Sequence, residues 1–509
     1  MLFNSSVFLG CFLPMVWLGW RLAALTGRKT LAVGWLSLCS LAFYAYWNWH
    51  YAPLLALSLV VNFYLGRSLI RRPRRAFLWL GLAWNLGLLG YFKYFNFFLE
   101  NIDAVTGRPW PLHAIVLPLG ISFFTFQKIA FIVDAWRGRM REVRFDDFAL
   151  FVLFFPQLIA GPIVHHHDFI PQLQRPAWLR FNREHFARGV LLFSAGLFCK
   201  TVIADTLAPT VNSGFAFVFS GFHLRLVEAW CVVVAYGLQL FYDFAGYSYM
   251  ALGLALLFGL VLPVNFFGPY ASRSMIEFWR RWHITLSAFL RDYVYIPLGG
   301  NRRGLAKQLG NVLITFLLAG LWHGAGWTFV LWGLWHGAAL VINHLWRHRR
   351  SGQNPAPTKW RSAGGFILTS LAVQLGWVLF RSPDLRIAKE MAVSLIGLNG
   401  ISVPLALTPW VDSLAPVIRP EGWFPNLYLT PSILAVFFVS GFGAVAGPTL
   451  LRWFGTSQAD VAAPPPIVQS ELPAQSAGVT RPQAIVAGMM LALSLAALSR
   501  SVPFLYFQF

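Results

Sequence analysis

The chain has 509 residues, of which 57% are hydrophobic, 17% aromatic and 12% charged. Soluble domains carry about 25% charged residues, and a mean hydropathy of +0.59 leaves too little polar surface to cover a water-soluble molecule. The net charge of +21 does not indicate a nucleic-acid partner, because Lys and Arg form short clusters between apolar segments, as in membrane-protein loops. We therefore predict a polytopic helical membrane protein whose partner is the lipid bilayer.

The first third of the chain alternates apolar segments with basic clusters. A helix is predicted over 5–25, and the basic clusters that follow lie at 28–29, 67–75 and 137–144. Counting spans places the first residue outside and all three clusters inside. The first helix has neither a basic leading region nor a small-residue cleavage site, so we expect it to be retained in the protein.

Residues 148–173 are interrupted by three prolines and Gly161, which predicts a partly re-entrant segment surrounded by protein. The segment contains the run His165-His166-His167, followed by Asp168. Adjacent histidines on irregular backbone seldom converge on one ion, and Asp168 is the one acidic or Cys residue at ligand spacing. We therefore predict a polar loop at the membrane edge and no metal site.

Apolar segments at 186–207 and 228–260 follow, and the second is too long for a single crossing. It carries Asp243, Gly246, Gly253 and Gly259, which favour close helix packing with one structural ion pair. Residues 272–291 mix basic residues with Phe and Trp, a pattern typical of a helix lying along the membrane interface. The four cysteines lie in apolar segments at no metal-ligand spacing and predict buried thiols.

The stretch from Phe278 to Gly337 places His283, His323 and His336 among Trp, Gly and Leu. A titratable side chain at membrane depth costs a few kcal/mol, so such a residue is a functional-site candidate by default. Gly324-Ala325-Gly326 predicts a helix break that puts His323 and His336 on different segments. On the later segment the residues that share one small or polar face are Gly333, His336, Gly337, Leu340 and Asn343.

A histidine in a water-poor cavity suits the abstraction of a proton from a hydroxyl, because neutral imidazole accepts a proton near neutral pH. If an acyl thioester lies beside it, the reaction is acyl transfer. The chain has no GxSxG element and no Walker loop, so the activated hydroxyl would belong to an acceptor. The competing interpretations are a histidine that serves helix packing, a transporter or flippase for a polysaccharide precursor, and a non-catalytic scaffold for polysaccharide secretion.

The rest of the chain is less informative. Further apolar segments lie near 364–379, 389–398, 433–454 and 485–498, and the second is too short to cross a membrane alone. Residues 456–482 are rich in Pro, Ala, Ser and Gln and predict a flexible loop.

Several blocks of the chain resemble the membrane-bound O-acyltransferase (MBOAT) superfamily, in particular its branch that O-acetylates exopolysaccharides such as alginate. The blocks that carry the resemblance read LFNSSVFLGCFLP, FPQLIAGPIVHHHDFIPQL, FYDFAGYSYMALGLALLFG, FWRRWHITLSAFLRDYVYIPLGGNRRG, LAGLWHGAGWTFVLWGLWHG and FLYFQF. The fifth block contains His323, and the fourth contains His283.

The resemblance implies an all-α domain over residues 1–509, a ring of about eleven or more transmembrane helices around a central funnel, with re-entrant and interfacial helices. It assigns His323 and His283 as the catalytic residues, with His283 at the family's second polar position. The residues expected to shape or support the substrate tunnel are His336, Trp322, Trp282 and Asn343. Arg302 and Arg303 are weaker candidates for binding the donor's phosphates.

The resemblance also implies the substrates and the compartment. Acetyl-CoA is the expected donor, bound as a substrate and not as a cofactor, and the chain is expected in the bacterial inner membrane. The acetyl group would pass to a periplasmic SGNH-type partner that modifies the polysaccharide, most simply alginate.

Overall fold

The computed structural model describes residues 1–108, 110–350, 358–404, 418–421, 431–453, 478–500 and 502–505. Within them the chain is almost entirely helical, which confirms the predicted all-α class. The α-helices are α1 Leu13–Leu25, α2 Lys29–Ala45, α3 Ala52–Arg71, α4 Arg75–Leu89, α5 Phe95–Thr106, α6 Ile121–Trp136, α7 Phe145–Leu153, α8 Phe155–Leu158, α9 His166–Leu173, α10 Arg183–Phe198, α11 Asp205–Phe219, α12 Leu226–Leu257, α13 Met275–Arg281, α14 Ile284–Leu290, α15 Leu305–His323, α16 Trp327–Arg349, α17 Lys359–Arg381, α18 Leu385–Leu395, α19 Pro431–Trp453 and α20 Arg481–Ala497.

Smaller elements join these helices. Two short strands, β1 Ile401–Pro404 and β2 Ile418–Glu421, pair in parallel with Ile401 opposite Ile418. Short π-helical segments, in which the helix widens by one residue per turn, lie at Phe8–Phe12, Gly90–Tyr94, Cys199–Ala204 and Arg291–Tyr295. Of the loop predicted at 456–482, residues 456–477 lie outside the described residues, and Arg481 already begins α20.

The described residues contain seven helical stretches long and apolar enough to cross a membrane. They are Phe8–Leu25, Trp49–Arg71, Arg183–Phe219, Leu226–Leu257, Leu305–His323, Lys359–Arg381 and Arg481–Arg500. The chain is therefore a multi-pass membrane protein. Shorter apolar helices such as Lys29–Ala45 accompany these seven, and the count of about eleven spans stays a prediction.

Contacts among the basic clusters place all three at one end of the molecule. Lys29 forms an ion pair of 2.7 Å with Asp147, and Arg67 and Arg71 lie 3.2 and 2.7 Å from the carboxylate of Glu142. The hydrogen bond from Arg71, reinforced by Arg67, holds the pKa of the Glu142 carboxyl below its usual range. We call this end of the molecule the basic end. Its existence agrees with the predicted placement of the three clusters on one side of the membrane.

Helix α12 forms the centre of the fold. The segment predicted to be too long for one crossing is a single continuous helix of 32 residues, and its most apolar window is buried completely by the surrounding chain. Such a length is accommodated because α12 packs against protein on all sides and therefore need not match the thickness of the lipid.

Two of the three glycines singled out in the sequence, Gly246 and Gly253, let α12 approach α10 closely, as predicted. A Cβ atom on Gly196 would meet the backbone of Gly246, and one on Gly253 would meet the backbone of Gly189. The predicted ion pair is also present, with Lys200 Nζ 2.7 Å from Asp243 Oδ1. The third glycine, at 259, has a φ of +72° and allows the turn after α12.

The predicted interruptions are present, and one was missed. Residues 148–173 divide into α7, α8 and α9, as their prolines predicted. The stretch predicted as one interfacial helix, 272–291, is two helices, α13 and α14. They are separated at His283, whose φ of 43° and ψ of 54° lie in the left-handed region. This conformation raises the energy of a non-glycine residue by about 1–2 kcal/mol. The left-handed backbone at His283 interrupts the helical path between α13 and α14.

Candidate active site

His323 is the last residue of α15, in a tight hairpin with α16. The two helices cross where Gly320 faces Gly333, with so little space that a Cβ atom on Gly333 would overlap the carbonyl oxygen of Phe316. Gly324 and Gly326 flank the turn, so His323 and His336 lie on different helices, as predicted. The close crossing fixes where the end of α15, and hence His323, lies within the bundle.

Two side chains from the segment Gly90–Tyr94 hold the end of α15. Lys93 Nζ donates to the carbonyl oxygens of Trp322 and His323 at 2.6 and 2.9 Å, and the Tyr94 hydroxyl donates to that of Leu321 at 2.6 Å. The last carbonyls of a helix have no partner within the helix, and a cation is favoured at that negative end of the helix dipole. Lys93 and Tyr94 therefore satisfy three successive carbonyls next to the imidazole of His323.

A narrow cavity of about 150 Å³ runs along one face of α15 to His323. The α15 residues in its wall follow the three- and four-residue spacing of a single helix face and are Val312, Thr315, Phe316, Ala319 and His323. From Val312 to His323 the helix rises about 16 Å. The opposite wall comes mainly from α14 and the segment after it and includes Ser287, Leu290 and Arg291. The cavity is mostly apolar, narrow and elongated.

The far end of this cavity lies toward the basic end of the molecule. Arg291 lines the cavity, its side chain is half exposed, and it pairs with Asp292 at 2.7 Å. Tyr293, two residues later, donates to Asp134 at 2.6 Å, and Asp134 lies three residues before Arg137 in the basic cluster 137–144. The cavity therefore connects an exposed arginine near the basic end with a buried histidine at the end of α15.

His283 is fully buried and held in one orientation. Asn265 Oδ1 accepts from the backbone N–H of Thr285 at 3.2 Å, which identifies this atom as the carbonyl oxygen of the amide. His283 Nδ1, 3.1 Å from the same oxygen, must therefore carry the hydrogen. Nε2 then holds the lone pair, and among the described residues it has no hydrogen-bond partner. The arrangement is that of a neutral imidazole available as a base or acceptor.

Trp322 lies between His283 and His323, with ring centroids 6.0 and 4.8 Å away. His283 is not part of the cavity wall, and nor is the predicted tunnel residue Trp282, whose ring packs 4.9 Å from that of Trp377. Trp322 thus separates the two histidines that were predicted to be catalytic.

His336 is enclosed by aromatic rings and by Gly376. Its ring lies 4.8 Å from that of Trp332 and 5.3 Å from that of Trp279, and a Cβ atom on Gly376 would overlap its Nε2. Neither ring nitrogen has a hydrogen-bond partner among the described residues, and neither reaches the cavity. His336 therefore packs among aromatic rings outside the cavity wall, and its predicted role in supporting the substrate tunnel stays a prediction.

Three other predicted site residues also lie away from the cavity. Asn343 accepts from the backbone N–H of Ile276 at 3.2 Å and so ties α16 to the start of α13. Arg302 and Arg303 are exposed in the turn before α15, and Arg303 folds back over Gly299. Arg291 is the arginine of the cavity wall.

The histidine run is not a polar loop. His166 is buried in the first turn of α9, and His166 and His167 approach Asp134 of α6, with one potential ligand atom from each of the three within 4.8 Å of the others. His165 instead lies beside Tyr293, with its Nδ1 3.5 Å from the hydroxyl oxygen.

Sequence reasoning missed Lys93, Tyr94 and Asn265, which act on the histidines across long separations in the chain. A weak signal existed for Lys93, because it is a lone cation within an apolar aromatic stretch, YFKYFNFF. Such a residue in a membrane segment is by itself a functional-site candidate.

Comparison with known proteins identifies the family. The model of the MBOAT, membrane-bound O-acyltransferase family matches residues 121–382, which include α6, His283, His323, His336 and the cavity wall. The peptidoglycan O-acetyltransferase of Helicobacter pylori is 40% identical over 79% of this chain and 81% of its own length. The probable alginate O-acetylase AlgI of Azotobacter vinelandii is 36% identical over the whole length of both chains. The probable alginate O-acetylase AlgI of Pseudomonas aeruginosa is 41% identical over 77% of this chain and 74% of its own length.

The resemblance noted from the sequence blocks is therefore confirmed. A helical multi-pass fold, a buried histidine at the end of an apolar cavity and these relatives all agree, and the chain belongs to the membrane-bound O-acyltransferase family and is an acyltransferase.

Proposed function

We propose that this acyltransferase takes an acetyl group from cytoplasmic acetyl-CoA in the bacterial inner membrane and transfers it across the membrane toward a periplasmic SGNH-type partner, which O-acetylates a polysaccharide. The observation that carries the proposal is the cavity that joins Arg291 to His323 along one face of α15.

The shape of the cavity suits a slender acyl thioester arm. Its wall is mostly apolar, which excludes water and protects a thioester from hydrolysis. Arg291 stands at the end where the charged part of a donor would remain near water. Arg291 lines the cavity whereas Arg302 and Arg303 do not, so its guanidinium, which now pairs with Asp292, is the better placed to bind the donor's phosphates.

The proposed reaction needs one base. The α15 helix begins beside the turn that contains Arg302 and Arg303, and its 19 residues rise about 28 Å before His323. His323 therefore lies nearly one membrane thickness away from that turn, where an acceptor from the opposite side can meet it. An imidazole nitrogen takes the proton of the acceptor hydroxyl as its oxygen attacks the acetyl carbonyl. The new C–O bond forms, the C–S bond breaks, and the leaving thiolate receives the proton.

His283 has a supporting role in this proposal. Its Nε2 carries a lone pair on the other side of Trp322, where it can accept a hydrogen bond from the acceptor or from a water molecule and help to orient the reacting groups. The left-handed backbone at His283 and the bond to Asn265 hold the ring in place for this purpose.

Alginate is the first candidate for the polysaccharide, as the AlgI relatives suggest. Peptidoglycan is the second, because the Helicobacter pylori peptidoglycan O-acetyltransferase is 40% identical over most of this chain. Both acceptors present sugar hydroxyls outside the membrane, so the same cavity chemistry serves either. Isolating both polymers from cells that express the chain, and assaying base-labile acetate on each, distinguishes them.

The test of the catalytic assignment is His323→Ala, assayed at equal protein level in the membrane with acetyl-labelled acetyl-CoA. Loss of the base is expected to lower acetate transfer by about 10²–10⁴-fold. His50→Ala is the matched control, because His50 is exposed in the short helix Trp49–Tyr51 that precedes α3, and this variant should retain full transfer.

Near-normal transfer by His323→Ala would refute the assignment. A transporter or flippase would move a precursor without consuming acetyl-CoA, and a scaffold would tolerate the loss of His323. Consumption of labelled acetyl-CoA that depends on His323 therefore excludes both alternatives.

A further inference from the structure

A group of metal-ligand side chains lies outside the cavity, near the basic end. Asp134 is in the last turn of α6, and His166 and His167 are in the first turn of α9. One carboxylate oxygen and one nitrogen from each imidazole lie within 4.8 Å of one another. Among the described residues, no other group of three His, Cys, Asp or Glu side chains meets this spacing.

Two atoms of the group are buried without hydrogen-bond partners among the described residues. They are Asp134 Oδ1 and His166 Nδ1, on residues that are 2% and 6% exposed. His166 Nδ1 is 3.9 Å from Asp134 Oδ2, so the two side chains point toward each other. A buried carboxylate oxygen that accepts no hydrogen bond is costly, and a bound cation would remove that cost. The nearest positive group is Arg139, 3.7 Å from Asp134 Oδ1, but its side chain is 63% exposed and can move into solvent.

Neighbouring side chains complete the arrangement. Tyr293 donates a hydrogen bond of 2.6 Å to Asp134 Oδ2, which orients the carboxylate and leaves Oδ1 available. Asp168 Oδ1 lies 3.5 Å from His167 Nε2 but outside the group of three, so its side chain would have to rotate to become a fourth ligand. Hydrogen bonds from outside residues to metal-binding carboxylates are a regular feature of metal sites, because they fix the ligand's orientation.

We propose that Asp134, His166 and His167 bind one divalent transition-metal ion, with zinc as the first choice and Asp168 or water in the fourth position. The set contains imidazole and carboxylate and no thiolate, a combination that suits Zn²⁺ and other divalent first-row ions better than Cu⁺.

The ion joins α6 to α9 and does not enter the acyl-transfer step. Through Tyr293 it also supports the segment Arg291–Tyr295, whose first residue is part of the cavity wall. Its role is therefore structural, namely to hold the Arg291 side of the cavity against α6.

The test uses the full-length chain, purified in detergent with an affinity tag that contains no histidine, stripped with chelator and then dialysed against buffered Zn²⁺. We expect about one zinc per chain by elemental analysis. Co²⁺, as a spectroscopic probe, should give visible absorption bands typical of four-coordinate sites. Asp134→Asn and His166→Gln are expected to lower zinc affinity by at least about tenfold, as metal-site substitutions commonly do.

Two further variants separate a lost ligand from a misfolded protein. His165→Gln changes the neighbouring histidine outside the group and should keep the zinc stoichiometry of the parent. Arg139→Gln removes the positive charge nearest to Asp134 and should raise zinc affinity several-fold. Absence of bound zinc in the parent protein would overturn the proposal, as would equal binding by Asp134→Asn and the parent, or an unchanged affinity in Arg139→Gln.

Discussion

The residues next to His323 show how the chain satisfies polar groups in an apolar interior. The carbonyls at the end of α15 receive hydrogen bonds from Lys93 and Tyr94, which lie more than 220 positions earlier in the chain. His283 obtains its fixed tautomer from Asn265, which also contacts Thr285. The hydroxyl oxygen of Thr285 in turn accepts from the backbone N–H of Ile163 at 3.0 Å, so the segment 148–173 is tied to the same network.

Lys93 is therefore expected to be a positioning residue for His323. Lys93→Met keeps the length of the side chain but removes two charge-assisted hydrogen bonds, each of which contributes about 1.5–3 kcal/mol. Because the end of α15 then loses its cation, we expect kcat for acetyl transfer to fall by about tenfold or more while KM for acetyl-CoA changes little. The measurement is steady-state transfer in membrane vesicles.

Lys93→Arg should restore part of the rate, because a guanidinium can still donate to the two carbonyls. Lys389→Met changes an exposed lysine of α18 and serves as the control with an unchanged rate. If KM rises as strongly as kcat falls, Lys93 acts on donor binding and not on the position of His323.

At the scale of elements, the hairpin of α15 and α16 determines where His323 can lie. The two glycines at its crossing let the backbones meet, and Gly324 packs on the ring of Phe329 at the turn. The hairpin is closed on its other side by α17, whose Gly376 contacts His336. Small residues at such crossings are the main device that lets membrane helices pack closely.

Gly333→Ala is expected to disturb this crossing, because the added methyl group overlaps the Phe316 carbonyl. Overpacking of this kind typically costs about 1–3 kcal/mol. We expect a loss of unfolding free energy in that range, measured by denaturant titration in micelles, together with reduced acetyl transfer.

The same change at Gly310 provides the control, since a Cβ atom there meets nothing within 4 Å. Gly310→Ala lies in α15, the other helix of the same hairpin, and should be neutral or stabilise the protein by up to about 1 kcal/mol. Equal stability of the two variants would contradict the close crossing.

At the scale of the whole molecule, a buried ionic group connects the central helix to the end of the chain. Lys200 Nζ lies 2.7 Å from both Asp205 Oδ1 and Asp243 Oδ1. The remaining carboxylate oxygens accept from the backbone N–H groups of Val502 and Leu505 at 3.3 and 3.0 Å. The described end of the chain is thus held against α12 by charged groups inside the protein.

Lys200→Met should leave two buried carboxylates without their cation. Removing one partner of a buried ion pair usually costs about 3–5 kcal/mol, and we expect a loss of that size in unfolding free energy. The exposed Lys389→Met should lose less than about 0.5 kcal/mol in the same denaturant titration. A loss below 1 kcal/mol in Lys200→Met would show that the ionic group does not stabilise the fold.

The sequence by itself determined the class of protein and the histidines worth testing. Composition predicted the membrane, the basic clusters predicted one common end, and the Gly-Ala-Gly break predicted two helices around His323. These features were readable because they depend on local periodicity and on the cost of charge in lipid, both of which leave marks in short stretches of sequence. The catalytic role of His323 itself stays a prediction.

The tertiary structure decided which of these residues meet. It separated His283 from His323 by Trp322, enclosed His336 in aromatic rings, and brought Asp134 to the histidine run that the sequence predicted to be an edge loop. It also placed Lys93 at the end of α15 and made one continuous helix of the segment that looked too long for a single crossing. These contacts join residues tens to hundreds of positions apart, and side chains paired across such distances carry no periodic signal. The packing of the helices therefore determines which of these side chains come into contact.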